Sequence, residues 1–186
     1  LPPLNIIDLL GQTEAIIREY KFMDHFKHMK SQQVWAYFEE ISKIYRESGH
    51  NEEISSYLKK ELQRQGFDVE QTQEGLAKGN IIALRNVDKT KKNALIFQAH
   101  MDMVAVSDDD NPQKPIKLIV DKDYLKADGR TLGADNGIGI AYILEIAKNP
   151  KFKDLPLQII FTVDEETGMH GVKELKKEDL YGKMLI

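Results

Sequence analysis

The sequence predicts an α/β layered domain. Apolar stripes at helical spacing alternate with short runs of β-branched and apolar residues. The most apolar run, Leu157–Val163, has the look of a strand buried on both faces. Polar, glycine-rich or acidic segments directly follow or adjoin such runs, as loops at one end of a sheet do. With 186 residues, 41% of them hydrophobic, the chain is long enough for one domain with a real core.

The elements follow in order. From Ile6 to about Glu47 the pattern is helical, with Ile6, Leu9, Leu10, Ile16, Ile17 and Tyr20 in one stripe and Val34, Trp35, Phe38, Ile41 and Tyr45 in a second. Trp35 is expected as a core anchor. Met23 and Met29 each could begin the chain, so residues 1–32 are taken as a helical N-terminal extension or leader, and 33–186 as the domain proper. Ser48-Gly49-His50-Asn51 breaks the pattern, with His50 a turn residue. Glu52 and Glu53 then suit the positive end of a helix whose apolar face is Ile54, Tyr57, Leu58 and Leu62, ended by Gly66. Phe67–Glu70, Asn80–Leu84 and Ala94–Gln98 read as strands, and Ser107–Pro115 as a loop. The triplet Asp108-Asp109-Asp110 lacks the glycine and distal glutamate of a calcium loop and reads as a solvated turn. Ile116–Val120 and Tyr124–Ala127 form a hairpin. A glycine-rich segment, Gly129–Gly139, leads into a helix over about Asn136–Lys148. After the buried strand, Leu175 is expected in a short helix, and Met184-Leu185-Ile186 begins a further core strand.

Composition excludes several functions. No cysteine is present, which removes disulfides, thiolate metal sites and a cysteine nucleophile. A net charge of −4 and scattered basic residues argue against nucleic-acid binding. No apolar run is long enough to span a membrane, and Leu1-Pro2-Pro3-Leu4 does not open a signal peptide. The expectation is a cytoplasmic protein.

Three segments carry chemistry. In Ala99-His100-Met101-Asp102-Met103, His100 and Asp102 share one face of a strand end, where the carboxylate can orient the imidazole as a metal ligand. The segment Thr131-Leu132-Gly133-Ala134-Asp135-Asn136-Gly137-Ile138-Gly139 has glycines that permit tight turns and close approach. Its spacing is not that of a phosphate loop, and Asp135 would repel phosphate. Thr162-Val163-Asp164-Glu165-Glu166-Thr167-Gly168 ends the buried strand with three acids. Taken singly, the segments read as a polar pair, a structural turn and a charged helix start. Together they bring Asp102, Asp135, Glu165 and Glu166 to one sheet edge, a repulsion that divalent cations resolve. Imidazole and carboxylates without sulfur suit zinc, with cobalt or manganese as alternatives.

The order AHMDM, LGADNGIG, DEETGM resembles the dinuclear zinc peptidases of the M20 family, and DGRTLGADNGIGIA is most similar to their aminoacyl-histidine (Xaa-His) dipeptidases. The resemblance runs from about Gln33 to Ile186. It implies a layered zinc-peptidase (phosphorylase/hydrolase-like) catalytic domain, incomplete, with lid and C-terminal part absent. It further implies His100, Asp135 and Glu166 as metal ligands, with Asp135 bridging two Zn2+ ions and joined to Asn136 by a cis peptide. Asp102 would orient His100, and Glu165 would be the general base. The second metal site would be incomplete, and the isolated chain would bind metal weakly and show little or no activity. The implied reaction is hydrolysis of small peptides, dipeptides of the Xaa-His type, with a homodimer formed through the absent lid. Tripeptide aminopeptidase, N-acyl-amino-acid deacylase and a non-catalytic binding module remain as alternatives. His25 and His28 read as a solvated helix face, and His170 as lining the pocket.

Overall fold

The computed structural model describes residues 31–76, 78–109 and 111–186. The first apolar stripe, Met23, Met29, His25, His28 and Asp110 lie outside the described residues.

Helix α1, Gln32–Ser42, buries Val34, Tyr37, Phe38 and Ile41, spaced to form one stripe. It ends sooner than the sequence pattern suggests. The Ser42 hydroxyl turns back to the Phe38 carbonyl (2.7 Å), and the chain then leaves the helix so that Arg46 enters the interior. Trp35 is half-buried rather than a core anchor, because Val34 and Phe38 take the inward face. Helix α2, Glu52–Arg64, has Glu52 and Glu53 in its first turn and buries Ile54, Leu58 and Leu62 completely. The Tyr37 hydroxyl donates to the buried Glu61 carboxylate (2.9 Å), which joins the two helices.

The main sheet has strands β1 (Asp68–Gln71), β2 (Ile81–Arg85), β3 (Ala94–His100), β6 (Leu157–Thr162) and β7 (Gly182–Leu185), in the order β1-β2-β6-β3-β7. β1, β2 and β6 pair antiparallel; β6, β3 and β7 pair parallel. All six residues of β6 are buried, including Gln158, whose side-chain amide donates to Asp179 and accepts from Tyr181. A separate hairpin, β4 (Leu118–Asp121) and β5 (Tyr124–Ala127), starts two residues later than predicted. Ile116 is drawn off, its amide donating to the Ser42 carbonyl (2.9 Å). Helix α3, Ala134–Lys148, packs on α1 and β3, and its buried Ile140, Ala141, Leu144 and Ala147 close the core.

Two further expectations are corrected. The short helix near the end is α4, His170–Lys173; Leu175 follows it, before the 3-10 turn Lys177–Asp179. The last strand, β7, begins at Gly182, two residues earlier than predicted, and Met184, Leu185 and Ile186 are exposed.

The register fixes the geometry of the site. His100 of β3 lies opposite Thr162 of β6 in the parallel pair. The segments that follow, 101–103 and 163–168, therefore leave the same end of the sheet side by side. Asn80 secures the second exit: its Oδ1 accepts from Val163 N (3.0 Å) and its Nδ2 donates to Gly171 O (2.8 Å). Asn80→Ala should lower stability by about 2 kcal/mol or more, since both buried backbone groups lose their partner. Urea unfolding measures this; an unchanged midpoint contradicts the assignment.

Candidate metal centre

Three sequence-selected side chains, His100, Glu165 and Glu166, meet at the carboxyl ends of β3 and β6. One donor atom each from His100, Glu165 and Glu166 lies within 4.8 Å of the other two. His100 Nε2 also stands 3.0 Å from Asp135 Oδ1, although Asp135 is 35 residues away in sequence. His100 is buried, Glu165 is half-buried and Glu166 is exposed, so the group opens to solvent on the glutamate side.

Asp102 organises this group from beneath, with 0% exposure. Its carboxylate accepts from the Ser48 hydroxyl (2.6 Å), from Glu165 N (3.0 Å) and from Glu166 N (3.2 Å). The Asp102 carboxylate also stands 3.5 Å from His100 Nδ1, an electrostatic contact, while its backbone carbonyl faces the same nitrogen at 3.1 Å. Burial pushes the Asp102 carboxyl up, but the bonds from His100, Ser48 and the two glutamate amides outweigh it and hold it well below the usual carboxylate range. Sequence reasoning did not find Ser48; nothing in a turn serine signals a partner 54 residues away.

Different backbone conformations set the two loops. Asp164 is left-handed (φ 53°), with its carboxylate accepting from Gly49 N and Asn51 Nδ2, both at 2.7 Å. The turn closes with Gly168 N and Met169 N on the Glu165 carbonyl. In the second loop Gly133 has φ 66°, Asp135 and Asn136 lie outside helical dihedrals, and the peptide between them is cis. His170 lines a cavity of about 290 Å³ together with Asn51, Ser55 and Asp164. Neither His100 nor the two glutamates line that cavity, so His170 stands beside the group rather than in it.

Burial pulls the His100 imidazole down, yet Asp102 and Asp135 on its two sides more than compensate and raise it to about 9. One nitrogen donor and the carboxylates of two residues converge, a third carboxylate, Asp135, stands against the same imidazole, and no sulfur is present, the donor chemistry of zinc and its first-row neighbours. The side chains present therefore fit a divalent metal.

Residues 96–184 match the sequence profile of peptidase family M20/M25/M40. The chain is 32% identical over 170 residues to the cytosol non-specific dipeptidase of Escherichia coli, covering 88% of this chain and 34% of that protein. The chain belongs to peptidase family M20. Its fold matches the aminoacylhistidine dipeptidase of Vibrio alginolyticus with a TM-score of 0.72 at 31% identity, over 86% of this chain and 33% of that one. A Staphylococcus aureus tripeptidase matches with a TM-score of 0.69 at 30% identity, over 84% and 42%. This M20 chain thus spans about a third of the length of the curated relative and of the dipeptidase structure. Among the described residues, no helix is long and apolar enough to cross a membrane.

Ser48→Ala removes a hydrogen bond to a buried anion, which is worth about 1.5–3 kcal/mol. The metal-free chain should lose stability by that amount in urea. A loss under about 0.5 kcal/mol would mean that the Asp102 carboxylate is held by the two glutamate amides alone.

Proposed function

We propose that the protein carrying these 186 residues is a metal-dependent peptidase that cleaves dipeptides, Xaa-His dipeptides among them. The convergence of His100, Glu165 and Glu166 at the sheet's carboxyl end, with the Asp135 carboxylate against the same imidazole, carries this reading. In it, residues 33–186 are the N-terminal part of the catalytic domain. Likeness to dipeptidases at 31–32% identity supports the substrate class.

His100, Asp135 and Glu166 would hold two zinc ions between them, with Asp135 shared. Bound there, the metals would supply Lewis acidity, acidifying a water and polarising the scissile carbonyl. Glu165 takes the proton of the attacking water and returns it to the leaving amine. Its amide is pinned to the Asp102 carboxylate, which fixes where its side chain starts. Asp102 holds the imidazole of His100 in orientation from the Nδ1 side, leaving Nε2 for the metal. Likeness to the tripeptidase supports a second reading, release of the first residue of tripeptides at the same centre.

The test is hydrolysis of an Xaa-His dipeptide and a tripeptide by the protein that contains this chain. Turnover should vanish with a chelator and return with zinc; metal-independent turnover, or none with metal bound, contradicts the proposal. Glu165→Ala should keep the metal and lose about 10²–10⁴-fold in rate. Loss of metal in that variant would contradict the base assignment. Asp135→Ala should lose both metal and rate, and normal turnover there would remove the shared-ligand role.

A further inference from the structure

Arg46 heads the large side chains that are fully buried, at 1% exposed, and no sequence motif includes it. Burial pulls its guanidinium down to about 10, against the opposing fields of Asp102 and Asp135, so it is cationic at neutral pH. Nη1 donates to the carbonyls of Met101 (3.0 Å) and Asp102 (3.2 Å). Nη2 donates to the Gly133 carbonyl, 87 residues away. The Arg46 carbonyl in turn accepts from Met103 N (3.0 Å). One side chain therefore spans the segment that follows His100 and the loop that leads to Asp135.

Gly133 of that loop and Gly137 of the helix after it lie against this contact. A Cβ at Gly133 would lie 2.6 Å from Arg46 Nη2, and one at Gly137 would lie 2.7 Å from it. The close approach that these glycines permit is to the internal guanidinium and, at Gly133, also to the Met103 thioether, whose sulfur would lie 2.5 Å from a Cβ there.

We propose that Arg46 is a positioning residue for the metal centre. It clamps the His100 segment to the Asp135 loop. The inference rests on the metal reading above. A planar fork suits the task because its two Nη atoms address different loops at once, whereas a lysine ammonium is a single point on a flexible stem. The donors of Arg46 meet backbone carbonyls, so its effect on the metal is through the spacing of His100 and Asp135.

The experiment is a zinc titration of the protein that contains this chain, wild type against Arg46→Lys and Arg46→Met, with circular dichroism and thermal unfolding of each metal-free form. Arg46→Lys should weaken zinc binding at least tenfold, and Arg46→Met further, while both keep the wild-type far-ultraviolet spectrum. The zinc-induced rise in melting temperature should shrink in the same order, since that rise depends on affinity and not on apo stability. Cobalt absorption should report a changed coordination in Arg46→Lys. Unaltered zinc affinity and cobalt spectrum in variants that are merely less stable would overturn the proposal and leave the peptidase reading intact. A wild-type protein that binds no zinc would overturn both. Should both variants fail to fold, nitrogen-15 spectra of the wild type still decide. A clamped guanidinium shows separate Nη signals that shift with zinc, and a single averaged signal unmoved by zinc overturns the clamp.

Discussion

A carboxylate removed from water must be met by donors, and Asp102 meets that constraint with groups from three parts of the chain. A hydroxyl comes from the segment after α1, two amides come from the turn after β6, and an imidazole lies on β3 itself. An unpartnered ion at that depth would cost several kcal/mol, so the partners cannot drift independently. The exit of β6, the orientation of His100 and the path of Tyr45–Ser48 are consequences of one buried charge. The parallel pairing of β3 with β6 makes the arrangement reachable, because it delivers both loops to the same edge.

Above Asp102 the problem is the reverse. Asp135, Glu165 and Glu166 bring further negative charge close to one imidazole, and that imidazole is held cationic by its neighbours. Repulsion among such groups favours any cation that can lie between them. The protein supplies one permanent cation of its own, the Arg46 guanidinium, from the buried side. The open side, where Glu166 and the Asp135 side chain face solvent, is where a mobile cation and a peptide would arrive.

Much of this was legible in the sequence because it is written locally. Strand identity followed from runs such as Leu157–Val163, and the strand-end residues His100, Asp102, Glu165 and Glu166 followed from their place at or directly after such runs. Asp135 was legible through its glycines. What was not legible depends on contacts between distant residues. Arg46 and Ser48 sit in a turn with no pattern, and their partners are 54 to 87 residues away. Helix α1 stops at Ser42 although apolar spacing continues to Tyr45, since the chain is pulled inward by the Arg46 contacts. Trp35 was misplaced because a stripe of apolar residues does not say which of two adjacent positions faces the core. His170 follows a predicted site segment, yet a short helix turns it to a neighbouring cavity.

X-ray absorption at the zinc edge of the metal-loaded chain tests the central claim most directly. The account predicts a first shell of nitrogen and oxygen alone at about 2.0–2.2 Å, with the outer-shell pattern of imidazole. That imidazole pattern should vanish in His100→Ala. An imidazole signal that survives His100→Ala would place the metal elsewhere and contradict the site described here.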